Sequence, residues 1–209
     1  MSDKRDAFAM VEAEQADLVG LIRQLTPDQW SASSLCEGWS VRDVAIHIAC
    51  GRKDLWTTLK LWASVGFGSP AKASAREIEQ RRDLPTADIV EWLGSPIKPR
   101  VVWEMNIQLR ALMIHQQDIR RPLEAMRTIP AERLSYVLDR GLTRAGSANL
   151  GSRKRARGLC LKATDIDWTA GDGPEVVGPG EAILMAISGR RAAVQDLSGT
   201  GTAELARRL

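Results

Sequence analysis

Only two histidines and three cysteines occur in the 209 residues, and the apolar runs reach about half the length of a membrane span. Each scarcity excludes something. Cys36, Cys50 and Cys160 are odd in number, widely spaced and without a CxxC pair, which removes both a disulfide framework and a structural zinc knuckle. Reduced thiols are the expectation. The amino-terminal "MSDKRDAFAM" carries charges where a signal peptide needs an apolar core, so the sequence reads as cytoplasmic, with no membrane partner. A net charge of +3 gives no strong polyanion signal, although "GSRKRARG" (Gly151–Gly158) packs four cations into five positions. Between two predicted elements that run reads as a solvated linker, with a nucleic-acid arm as the other reading. No nucleic-acid partner is expected. What remains, 44% hydrophobic and 26% charged residues, is the composition of an ordinary folded chain.

Helical punctuation dominates the first three quarters. Phe8, Val11, Leu18, Ile22 and Leu25 keep close to helical spacing. In "TPDQW", Thr26 caps, Pro27 suits the first helical position and Gln29 completes a capping box. Ser40 and Asp43 repeat the signal before a helix predicted from Val41 to about Ser64, with Trp39 and Val44 as a hydrophobic staple. "GFGSP" ends it, and Lys72 to Leu93 reads as an interrupted helical connection. Arg100 to Arg120 is helical again, and another helix starts near Pro130 with Leu134, Val137, Leu138 and Leu142 facing inward. Beyond Gly158 the period changes to two. "LCLKATDIDWTA", the turn "GDGP" and "EVVG" read as strand, turn, strand, followed by helices in "PGEAILMAISGR" and "GTAELARRL". The chain is therefore expected to be mainly α with a small α/β lobe, divided into residues 1–150 and 151–209.

His47 lies in mid-helix and His115 near the end of another long helix, so antiparallel packing can bring both rings to one interior point. Two imidazoles suit zinc or another late transition metal, but a catalytic zinc takes three protein ligands and leaves a fourth position open. The same residues in isolation also suit hydrogen-bonded core histidines.

"LTPDQWSASSLCEGWSVRDVAIHIA", "HQQDIRRPL" and the tail from Leu161 to Gly201 together resemble the mycothiol-dependent maleylpyruvate isomerase family. The resemblance implies a DinB-like four-helix bundle followed by a carboxyl-terminal α/β domain. It also implies a divalent metal, zinc first, held by His47 and His115, and mycothiol as thiol cosubstrate. In the family a glutamate stands four residues before the second histidine. Here that position is Ala111, in "RALMIH", and a methyl group cannot ligate a metal. Cys50, three residues after His47, is one replacement ligand, and Gln108 is another. Asp118 can accept the other ring N–H of His115 or pair with Arg120 or Arg121.

The family chemistry is a thiol addition to a small, carboxylate-bearing molecule, as isomerase or S-transferase. The resemblance implies an arginine of the tail facing that carboxylate: Arg190, with Arg191 as competitor. Asp165, Asp167 and Trp168 either line the same cleft or form the edge of a strand and turn. A family member with a degenerate metal site, catalysing other chemistry or only binding a ligand, is the alternative. A monomer or homodimer is expected.

Overall fold

The computed structural model describes residues 2–51, 70–97, 102–147 and 150–209. Contact density divides the chain into two compact units, Met1–Ala125 and Met126–Leu209. The first holds α1 (Ser2–Ile22), the short α2 (Pro27–Ser31), α3 (Val41–Cys50), α4 (Pro70–Glu79), α5 (Thr86–Gly94) and α6 (Val102–Arg120). Residues 52–69, where the predicted helix from Val41 would continue and "GFGSP" begins, lie outside the described residues.

On α1, the positions Ala7, Val11, Glu14, Leu18 and Ile22 are buried at steps of three and four, which is the spacing of one helical face. That face meets α6 and α5, while α3 meets the same two helices. Four helices thus close around one core among the described residues. Glu14 is the polar member of the α1 stripe. Its Oε1 accepts from Gln116 Nε2 at 2.7 Å, and Gln116 Oε1 accepts from Arg120 Nε at 2.9 Å, so the buried carboxylate is satisfied from α6. The carboxyl-terminal half of α6 is buried almost all round, from Leu112 to Ile119 with only His115 partly open.

The second unit begins with α7 (Ala131–Leu142), then α8 (Arg144–Ser147), α9 (Ser152–Ala156), β1 (Cys160–Ala163), β2 (Thr169–Ala170), β3 (Glu175–Gly178), α10 (Gly180–Ile187), a 3-10 turn (Arg191–Asp196) and α11 (Thr202–Arg207). The sheet order is β2-β1-β3, with β2 antiparallel and β3 parallel to β1. "LCLKATDIDWTA", read as one strand, is therefore two strands folded back through Thr164–Asp167. Helix α10 is buried from Ala182 to Ile187 and packs against β1, β3, α9 and α7. It comes so close to α7 that a Cβ on Gly180 would lie 2.9 Å from Leu134 Cδ2.

Two boundaries differ from the sequence reading. The division falls at Ala125/Met126 rather than after residue 150, because Leu134, Val137 and Leu138 of α7 bury against this unit's own helices. The run "GSRKRARG" is no linker: it folds as α9, with Ser152 buried and Arg155 donating to Leu150 O and, at 3.1 Å, to Ile187 O.

Candidate metal centre

The loop before α3 is zipped by short-range hydrogen bonds. Ser34 N donates to Trp39 O at 2.9 Å and Val41 N to Ala32 O at 2.9 Å. Ser40 then starts α3 with a reciprocal capping box: its Oγ accepts from Asp43 N at 3.2 Å, and its own N donates to Asp43 Oδ2 at 2.9 Å. With Val41, Val44, Ala45 and Ile48 buried, the helix cannot rotate without exposing its apolar face. His47 is thereby fixed at a partly exposed position, its ring centroid 5.0 Å from that of Trp39.

From α6, His115 approaches the same point. The centroids of His47 and His115 are 4.9 Å apart, with the ring planes at 86°. Zinc–nitrogen bonds of about 2.0–2.1 Å hold two ligating imidazole centroids roughly 5 Å apart, and edge-to-face packing of two rings gives a similar separation. His115 Nδ1 lies 2.9 Å from Asp118 Oδ2, and the Asp118 side chain is fully buried. A carboxylate only accepts, so Nδ1 carries the proton and the lone pair sits on Nε2. This is the outer-partner arrangement that orients metal-bound histidines. Of the roles the sequence left open for Asp118, the contact with His115 is present.

Cys36 stands on the other side of that carboxylate. Its Sγ donates to Asp118 Oδ2 at 3.1 Å and lies 3.9 Å from His115 Nδ1. The loop is tied to α6 by Leu35 N donating to Asp118 O at 3.0 Å, which holds the thiol there. Among the described residues, Cys36, His115 and Asp118 form a set whose donor atoms all lie within 4.8 Å of one another. Cys50 is buried and stands outside that set, and so does His47. Sequence reasoning passed over Cys36 because it looked along helices for ligands three or four residues apart. The available signal was its place in "SLCEGWS", directly before the Ser40 cap. Gln108, Ala111 and His115 do share one partly exposed stripe of α6, and at Ala111 that stripe has no donor.

Arg190 belongs to the second unit, just after α10. Its Nη1 donates to Ser188 O at 3.2 Å, whereas Arg191 is exposed. Arg155 reaches the same turn, where burial and then the Arg190 charge push its guanidinium below the usual arginine value. Asp165 and Trp168 have structural partners: Asp165 Oδ1 accepts from Gly180 N at 2.7 Å at the start of α10, and Trp168 Nε1 donates to Asp139 Oδ1 at 2.8 Å. Asp167 is exposed beside them.

Residues 11–101 match the family described as Mycothiol maleylpyruvate isomerase N-terminal domain. That span contains Cys36 and His47 and ends before His115. Two solved structures share the fold over 95% of this chain and 93% of theirs. One is the mycothiol-dependent maleylpyruvate isomerase, with TM-score 0.62 and 16% identity, and the other a histidine-to-alanine mutant of it, with TM-score 0.63 and 16% identity. No curated protein matches. The expected fold class, mainly α with a small α/β lobe, is the one found: the described residues are mainly helical with a small three-stranded sheet, and those structures share the fold.

Proposed function

With residues 11–101 carrying the mycothiol maleylpyruvate isomerase amino-terminal domain, we propose that this chain is a thiol-dependent isomerase or S-transferase. Its substrate is a small, carboxylate-bearing molecule. The observation that carries the reading is the facing pair His47 and His115, with Asp118 holding the far nitrogen of His115. The donor set fits a divalent metal, zinc first by its imidazole ligands. When bound, such an ion supplies Lewis acidity that lowers the pKa of the cosubstrate thiol.

The chain's own residues do the rest. Asp118 keeps the Nδ1 proton in place and so keeps the Nε2 lone pair of His115 available. Trp39 packs on His47 and limits its ring rotation. Arg190 is the cation that the family resemblance proposes for the substrate carboxylate, a guanidinium being suited to bidentate hydrogen bonding. Mycothiol is the proposed cosubstrate. A cytoplasmic monomer or homodimer completes the reading, the odd number and wide spacing of Cys36, Cys50 and Cys160 suiting a reducing compartment. No described helix is long and apolar enough to cross a membrane.

Ala111 favours the second reading, a family member whose degenerate metal site serves other chemistry or ligand binding alone. Zinc titration of chelator-treated protein, followed by an isomerase assay with mycothiol and maleylpyruvate, separates the two. Zinc binding that His47→Ala and His115→Ala each abolish, with mycothiol-dependent turnover, is the expected result. Zinc binding without turnover leaves the second reading, and no zinc binding removes the metal reading altogether.

A further inference from the structure

The second unit carries a concentrated run of positive charge. From Arg140 to Thr164 the chain carries seven Lys and Arg and no Asp or Glu, against a net charge of +3 for the whole sequence. The fold of the second unit gathers this run instead of dispersing it. Arg144 follows α7, while Arg153, Lys154 and Arg157 come from α9 and its end, and all four line one cavity of about 540 Å³. All four are exposed at its rim. No acidic side chain lines the cavity among the described residues. Its floor is apolar, made by Leu142, Leu159 and Leu161. The wall is completed by backbone at Gly158 and Gly171, both at positive φ, and a Cβ on Gly171 would lie 2.3 Å from Leu159 O.

A concavity ringed by four cations attracts an anion. A volume of this size falls within the range of small-molecule sites. The floor asks for an apolar body. None of the lining residues is aromatic, so the stacking platform on which single-stranded nucleic acid depends is missing. We propose that this cavity binds an amphipathic organophosphate, its apolar body on the leucine floor and its doubly charged head held by Arg144, Arg153, Lys154 and Arg157. The cavity is lined by second-unit residues alone, and its test needs neither metal nor turnover.

Calorimetry of the full chain with octyl phosphate, below its micelle concentration, gives the direct readout. Saturable one-to-one binding is expected, at least tenfold tighter than inorganic phosphate, which lacks the body, and than octanoate, which carries one charge. The double variant Lys154→Glu, Arg157→Glu is expected to weaken octyl phosphate tenfold or more. Leu142→Ser is expected to weaken octyl phosphate while leaving inorganic phosphate unchanged. Should the double variant misfold by circular dichroism, Arg144→Glu makes the same test from another element. Equal binding of octyl phosphate and inorganic phosphate, equal binding of the neutral octyl glucoside, or wild-type affinity in the charge variants would each overturn the proposal. So would an oligothymidylate that binds more tightly than octyl phosphate and is not displaced by it.

Discussion

At position 111 the side chain is a methyl group, which offers an ion no ligand. Side chains four apart on a helix share a face, so a carboxylate at 111 would stand one turn from His115, on the partly exposed stripe that already includes Gln108. Ala111→Glu is therefore expected to tighten zinc binding by about tenfold or more, since a further anionic ligand is added to two neutral ones. Equal affinity in a competition titration would mean that a third donor already acts, and Cys36→Ser then tests the nearest one. Asp118→Asn asks a different question, because it keeps the shape and removes the charge. Loss of an outer partner typically costs about 10–100-fold in metal affinity, and that loss is expected here with the helical fold retained. Unchanged affinity would show that the His115–Asp118 contact is a core hydrogen bond and nothing more. Both histidines and Asp118 were legible in the sequence, because helical spacing and the family motif point at them. Cys36 was not. Its contact with Asp118 crosses from a loop to a helix far away in the chain, and no local period encodes such a contact.

Elements were most legible where capping chemistry writes them. Thr26 with Gln29 and Ser40 with Asp43 both form the reciprocal boxes that their spacing predicts. Ser40→Ala removes the Oγ that accepts from Asp43 N and donates to Asp43 Oδ2, while the bond from Ser40 N to Asp43 Oδ2 remains. The expected cost is about 1 kcal/mol, a drop of roughly 2–4 °C in melting temperature for a chain of this size. A thermal melt checks this, and an unchanged midpoint would mean that burial of Val41 and Val44 alone fixes the helix start. Where elements were misread, the reason is length. "LCLKATDIDWTA" alternates throughout and so looks like one strand, yet Thr164–Asp167 reverse the chain and Ala170 pairs back onto Leu161. Alternation reports which face a residue occupies and is silent about a turn that preserves it. The α9 run was read as linker because its charges suggested solvation. Its sequence also holds Ser152 and Arg155, whose burial and carbonyl contacts anchor it, and neither feature is visible in a charge count.

The division of the whole chain follows from which surface buries each apolar face. A boundary after residue 150 follows the change from helical to alternating periodicity, and it assigns α7 to the bundle by resemblance of type. The structure assigns α7 to the second unit, where Leu134, Val137 and Leu138 are buried and Asp139 receives the Trp168 indole N–H. Two fragments distinguish these divisions. Residues 126–209 keep α7 and its partners, and should melt cooperatively with Trp168 in an apolar environment. Residues 151–209 lose three buried side chains, each contributing about 1.5–3 kcal/mol, which exceeds what so small a core can spare. They should show no cooperative transition and a red-shifted tryptophan emission. If the shorter fragment melted as sharply as the longer one, α10 and the sheet would be a complete core by themselves. The apolar face of α7 would then have to be a surface for something else.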